Sequence, residues 1–200
     1  MRVTLLRHSQ TQDNLLGRYP RRDAPLCPQG RDLARQLPPR PDVSRVHTST
    51  LVRTVETAEI LYAHAAIHRH PGLRELDFGE WEGKSWQDLE QDPRYRQWVD
   101  RLCQPPCPGG ESQEEMTRRC VRAFLEVLAE EAAQDAGEVH LVVHGGTIMA
   151  VLSQLAQPQR PYFDWHPAPC GGYLLEYAPG QPRPLAVLAP IRPKEGATSL

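Results

Sequence analysis

Apolar residues run almost unbroken from Val3 to Leu6 and again from Val139 to Val143, the pattern of strands buried on both faces. The first run predicts a strand over 2–6, and the second predicts the strongest strand in the chain. A shorter strand is expected over 45–48, and two more over 172–177 and 184–188. Between them the apolar period lengthens to that of a helix. Leu33, Ala34 and Leu37 mark a helix that Pro28-Gln29-Gly30 opens and Pro38-Pro39 ends. Leu51, Val55, Ala58 and Leu61 form the stripe of a second helix, starting near Ser49 and Thr50. Arg53 then falls in its first turn, beside free backbone N–H groups and the positive dipole end. Ser112-Gln113-Glu114-Glu115 fits a capping box. Met116, Cys120, Ala123, Phe124, Val127 and Leu128 carry the long helix that follows, with Gly137 as its stop. Gly145-Gly146 is expected to turn the strongest strand into a helix over 147–155.

Two stretches break the pattern. Residues 11–27 read as an irregular loop with turn formers Asn14, Gly17, Pro20 and Pro25. Between 73 and 110, Trp81, Trp86, Tyr95 and Trp98 are embedded in polar sequence, with short helices expected over 85–90 and 93–102. This reads as an insertion over one end of the sheet, its tryptophans packing the lid, with flanking of an aromatic substrate as the second reading.

Strands alternating with helices predict an α/β fold, a three-layer α/β/α sandwich around a mainly parallel sheet. The expectation is one domain over 1–190, with a small helical lid insertion over about 79–110 and a loose C-terminal tail over 191–200. Ligands of such sheets bind outside the carboxyl ends of the strands. Three strand ends here carry polar chemistry: Arg7-His8, Thr48-Ser49 leading to Arg53, and His144-Gly145-Gly146.

Composition narrows the partners. A net charge of -2 over 200 residues argues against a general polyanion binder, so no nucleic-acid partner is expected. No apolar run approaches the roughly 20 residues that span a bilayer, and no signal-peptide core precedes the first strand. Five scattered cysteines read as free thiols in a reducing cytoplasm; Gln104-Pro105-Pro106, between Cys103 and Cys107, is unlike a zinc or redox turn. Charge is uneven, however. From Met1 to Arg53 there are ten arginines against four aspartates, so positive potential gathers near the first strand end.

That potential suits a phosphoryl group, whose transfer rests on positioning and electrostatic stabilisation. Arg7 and Arg53 offer forked donors from two different elements. A neutral imidazole at His8 could attack phosphorus and form phosphohistidine. A protonated imidazole at His144 could hold an equatorial oxygen. Glu75, in Arg74-Glu75-Leu76-Asp77-Phe78-Gly79, is the first choice to protonate the leaving alkoxide, with Asp77 behind it. Each residue alone has a plainer reading as a structural histidine, a surface ion-pair arginine or a loop carboxylate. The case rests on having all of them at ends of elements that should converge.

These motifs resemble those of the histidine phosphatase superfamily, the phosphoglycerate mutase-like proteins. Leu6-Arg7-His8-Ser9-Gln10-Thr11 with Asn14 resembles its Arg-His-Gly signature, and Ser49 through Arg53 to Thr57-Ala58 its second arginine motif. Residues 75–83 are similar to its acid loop; Pro108-Gly109-Gly110-Glu111-Ser112 and Val143-His144-Gly145-Gly146-Thr147 complete the set, in family order. The resemblance implies a metal-independent histidine acid phosphatase-type hydrolase that uses no cofactor. It implies His8 as nucleophile, Arg7, Arg53 and His144 as phosphate pocket, Glu75 as proton donor, and substrate contacts from Thr11, Asn14 and Gly145. His68 and His70 are read as surface residues.

Within that family the chain most resembles the cobalamin-pathway phosphatases that act on α-ribazole 5′-phosphate, through residues 14–30, 77–83 and 108–112. The expected partner is a small-molecule phosphate ester, with a homodimer left open. A phosphoglycerate mutase-type phosphotransferase and a non-catalytic phospholigand-binding protein remain as alternatives. Two departures from the family pattern stand out: Ser9 in place of the signature glycine, and Arg21 where relatives often carry glycine. Ser9 leaves the backbone beside the nucleophile less free. Arg21 either adds a cation at the substrate mouth or points to water.

Overall fold

The structure is a computed structural model, described over residues 1–193. Seven strands form one sheet: β1 (Arg2–Arg7), β2 (Arg45–Thr48), β3 (Ala66–Arg69), β4 (Glu138–Val143), β5 (Ala156–Gln157), β6 (Gly172–Tyr177) and β7 (Leu185–Ile191). Their order is β3-β2-β4-β1-β6-β7-β5. The β3-β2-β4-β1 half is parallel throughout, and β6 runs antiparallel to both β1 and β7.

Side-chain parity along the central strands sorts the core. Val3, Leu5, Val139, Leu141 and Val143 share one cluster with the long helix α6 (Gln113–Ala132) and with α7 (Gly145–Leu155). Leu6 and Val142, of opposite parity, pack on the other face with Val46 and with Ala58 and Leu61 of α3 (Val52–Leu61). Successive residues of a strand point to opposite faces, so a doubly covered strand must be apolar at every position. α2 (Pro28–Arg35) lies against α3 on that second face. The three layers of the expected sandwich are therefore present.

Several elements differ from the sequence reading. β3 has the burial of an edge strand, three of its four residues exposed, and its Ala-Ile-His-Arg carries no apolar alternation to read. β7 runs on to Ile191 through Pro190. β5 covers only its first two residues, so a proline without an N–H costs no ladder bond at that edge. The strand thus takes in the first residue assigned to the tail, and residues 194–200 of that tail lie outside the described residues. Gly145-Gly146 are not a turn before α7 but its first turn, with His144 as N-cap. The loop over 11–27 contains the single-turn helix α1 (Gln12–Leu15), closed by a Thr11–Asn14 capping box.

The segment over 79–110 builds its own small core from Trp81, Leu89, Tyr95, Trp98 and Cys107, around α4 (Trp86–Leu89) and α5 (Pro93–Asp100). Trp81 and Trp98 are packing residues, whereas Trp86 is 54% exposed. All five cysteines are free.

Candidate active site

The registry of the central strands brings the two histidines together. Arg7 of β1 pairs with Val143 of β4, so the next residues, His8 and His144, leave adjacent parallel strands side by side. Neighbouring strands lie about 4.8 Å apart, and the two ring centroids are 5.2 Å apart, edge to face. On the far side of β4, Thr48 pairs with Val142, which carries Ser49 to His144. Ser49 Oγ lies 2.7 Å from His144 Nε2. α3 begins just beyond, and its buried face is polar at this end: Arg53, Thr54 and Thr57.

The proton on His8 is fixed by its neighbour. Nδ1 lies 2.6 Å from the Ser9 carbonyl oxygen, which can only accept, so Nδ1 carries the hydrogen and Nε2 of the neutral ring keeps its lone pair. Burial, then the Arg53 and Arg7 guanidinium groups, hold the His8 imidazolium well below its usual range. A neutral, oriented imidazole is the form a nucleophile requires.

Three buried polar atoms around this ring have no partner: Arg7 Nε, Arg53 Nε and His144 Nδ1. Orphaned buried polar atoms are costly in an ordinary core. The rest of each side chain is anchored. Arg7 Nη1 donates to the Pro167 carbonyl at 2.8 Å and to His166 Nε2 at 3.3 Å. Arg53 Nη1 donates to the Arg21 and Arg22 carbonyls at 3.0 and 3.2 Å.

Glu75 sits at the N-terminus of α7. Its Oε2 accepts from the Gly146 N–H at 3.2 Å and its Oε1 from the Leu76 N–H at 2.9 Å. A Cβ on Gly146 would lie 2.1 Å from Glu75 Oε1, so only glycine admits the carboxylate there. Asp77, the second choice as acid, is committed elsewhere: it accepts from Arg22 and from the Gly79 N–H.

Arg7, His8, Asn14, Glu75 and Gly145 all line one cavity of about 360 Å³. His144 is wholly buried beside His8. Arg53 borders instead a smaller cavity of about 80 Å³, and Glu75 lines both. Thr11 is buried, its hydroxyl committed to the Asn14 cap. The cavity's outer wall is aromatic: Tyr19, Phe78, Trp98, Tyr162 and Phe163.

Both departures from the family pattern are accommodated. The φ of Ser9 lies outside the left-handed region, so no glycine is needed. Its N–H donates to Thr57 Oγ1 and its hydroxyl to the Gly30 carbonyl, tying the loop after β1 to α2 and α3. Arg21 does not line the cavity; its side chain is 56% exposed, as the water-facing reading expects, and it also forks onto the buried carboxylate of Asp13 at 3.0 and 3.2 Å. His70 also departs from its surface reading. It shares a 2.9 Å hydrogen bond with buried His47, whose other nitrogen lies 3.2 Å from Glu131, while His68 is exposed. Among the described residues, no group of three or more His, Cys, Asp or Glu side chains is arranged to hold a metal ion. No helix there is long and apolar enough to cross a membrane.

Two residues at the site escaped the sequence reading. His166 reaches Arg7 from a turn after β5 that only tertiary structure places. Arg119 of α6 donates to the Gly72, Arg74 and Glu75 carbonyls and pairs with Glu111, bracing the acid loop. Its place beside the buried stripe residues Met116 and Cys120 was the one available signal.

The fold is α/β, and its strand ends gather two arginines, two histidines and a glutamate. Residues 3–188 match the histidine phosphatase superfamily (branch 1), and the chain belongs to that family; by class it is a phosphoric monoester hydrolase. It is 34% identical, over 77% of its length and 78% of the relative's, to a putative phosphoserine phosphatase 2 of Hydrogenobacter thermophilus. It is 29% identical, over 78% and 79%, to an adenosylcobalamin/alpha-ribazole phosphatase of Salmonella typhimurium. Among solved structures it resembles an alpha-ribazole phosphatase from Shigella flexneri (26% identity, 90% and 92% of the two chains, TM-score 0.78). It also resembles a phosphoglycerate mutase from Thermus thermophilus (31% identity, 96% and 98%, TM-score 0.70).

Proposed function

We propose that the protein hydrolyses a small phosphate monoester through a phosphohistidine on His8, without a metal, and that its substrate is α-ribazole 5′-phosphate or an ester like it. The observation that carries the reading is the set of orphaned atoms, Arg7 Nε, Arg53 Nε and His144 Nδ1, around an imidazole whose Nε2 lone pair is free. A phosphoryl group brings the oxygens those atoms lack. His8 Nε2 attacks phosphorus, Glu75 protonates the departing oxygen, and water then cleaves the phosphohistidine with Glu75 taking its proton. Asn14 and Gly145 contact the substrate from the cavity wall; Thr11 acts through Asn14.

The wall supports the leaving group. Tyr19, Phe78 and Phe163 offer flat apolar surface to an aromatic base, with Trp98 packed behind them. Phosphoserine fits less well, since its ammonium needs a carboxylate and, among the described residues, Glu75 alone supplies one to the cavity lining. The likeness to a mutase keeps phosphotransfer as a second reading, for which Arg18 on the wall is the guanidinium available to a second acidic group. Five free thiols suit a cytoplasmic site of action.

Phosphate release from α-ribazole 5′-phosphate, phosphoserine and 3-phosphoglycerate tests the assignment. The reading expects kcat/KM highest for α-ribazole 5′-phosphate. Efficient isomerisation of 3-phosphoglycerate with 2,3-bisphosphoglycerate, without net phosphate release, overturns it.

A further inference from the structure

The hydroxyl of Ser49 has one hydrogen and three neighbours. The Leu51 N–H donates to it at 3.1 Å, His144 Nε2 lies at 2.7 Å, and Thr54 Oγ1 lies at 3.0 Å. Thr54 has its own acceptor in the Leu51 carbonyl at 2.8 Å. The Ser49 hydrogen is therefore free to go to the nearest neighbour, the imidazole. All three side chains are fully buried, so no bulk water competes for these bonds.

We infer that His144 serves the phosphoryl group as a neutral imidazole, giving its single N–H at Nδ1 to a phosphoryl oxygen while the Ser49 hydroxyl donates to Nε2. The inference rests on the phosphatase reading of the site and revises one expectation, that His144 acts as a protonated ring. Ser49 is then a positioning residue. It never touches substrate, and it sets which ring nitrogen carries the proton.

The surroundings argue against a cation. Burial, then the charges of Arg53, His8, Arg7 and Arg119, lowers the proton affinity of His144, and the one carboxylate placed close by, Glu75, is bound to the Gly146 N–H and shared with Arg7 and Arg53. A third cation there would repel the two guanidinium groups that hold the phosphate. The neutral tautomer keeps a directed donor at Nδ1 and adds no charge. It also gives the orphaned Nδ1 a partner only when the site is filled.

The test is the nitrogen-15 spectrum of histidine-labelled wild-type protein saturated with inorganic phosphate at neutral pH. A protonated shift at Nδ1 of His144 with a lone-pair shift at Nε2 is expected. Two protonated nitrogens, or a proton at Nε2 alone, overturn the inference while leaving the phosphatase reading in place. If phosphate perturbs neither His8 nor His144, both fall together. Ser49→Ala supplies the second arm. It should move the His144 shifts and weaken phosphate inhibition about tenfold, the worth of one directed hydrogen bond, with Ser49→Thr restoring both. Unchanged His144 shifts in folded Ser49→Ala also overturn the proposal.

Discussion

The floor and the wall of the cavity are built in opposite ways. The floor joins the ends of β1, β2 and β4, and His8, Ser49, Arg53 and His144 there are at most 2% exposed. Three of these side chains are each anchored through one atom, His8 through Nδ1, Arg53 through Nη1 and His144 through Nε2, which leaves His8 Nε2, Arg53 Nε and His144 Nδ1 without a partner. The wall comes from the loop after α1, the segment over 79–110 and the turn after β5, and Phe163 on it is 50% exposed. Buried, hydrogen-bonded groups on rigid elements hold geometry to the tolerance that bond making requires. Half-exposed aromatic rings on loops can adapt to a leaving group. On the proposed function, the floor carries the reaction and the wall meets the leaving group.

Substitutions can break that division. His8→Ala should lower turnover by about 10⁴-fold or more on every substrate, since the nucleophile acts before any leaving-group preference. Steady-state assays with both an aryl and an alkyl phosphate check this, with circular dichroism confirming the fold. Glu75→Gln should slow alkyl phosphates by about 10²–10⁴-fold and aryl phosphates far less, because aryl oxygens need little protonation. Equal losses on both would remove Glu75 from the role of acid.

The floor should also show in stability against pH. His8 and His144 are held neutral by burial, and outside the floor His47, in its cluster with His70 and Glu131, is pushed down to about 4 by burial and by His70. Below about pH 6.5 the unfolded chain takes up protons that the folded chain refuses. This contribution is complete above that pH and is lost as pH falls, at about 1.4 kcal/mol per pH unit for each histidine kept neutral; for His47 the loss ends near its folded value. Denaturant midpoints between neutral and mildly acid pH measure it, and a flat profile would mean the histidines are protonated in the folded protein.

The smallest effect belongs to the wall. Phe163→Ala should raise KM for an aromatic ester by about 2–10-fold, with kcat for a small alkyl phosphate unchanged. A comparable loss on both would make Phe163 part of the floor's machinery rather than a contact for the leaving group.

The sequence carried the floor better than the wall, for a physical reason. Strand ends are fixed by apolar runs, and Leu6 and Val142 announce where His8 and His144 must emerge. Arg53 was legible because its helix start was. Ser49 could be located but not given its partner, since a hydrogen bond between residues 95 apart depends on sheet order. The wall depends on turns whose direction no periodicity encodes, which is why His166 stayed hidden. Edge strand β3, exposed and polar, had no core-facing pattern to betray it. Arg21 and Thr11 show the same limit, because polar residues near a site are as readily spent on Asp13 or on a helix cap as on a ligand.

The central claim is that His8 Nε2 takes the phosphoryl group. Rapid mixing with p-nitrophenyl phosphate, an alkaline quench that preserves phosphohistidine, and mass spectrometry of the digested chain test it directly. One phosphoryl group per chain is expected on the peptide containing His8, attached at Nε2 and absent from His8→Ala. Full turnover with no phosphorylated peptide, or a label on another residue, would contradict it.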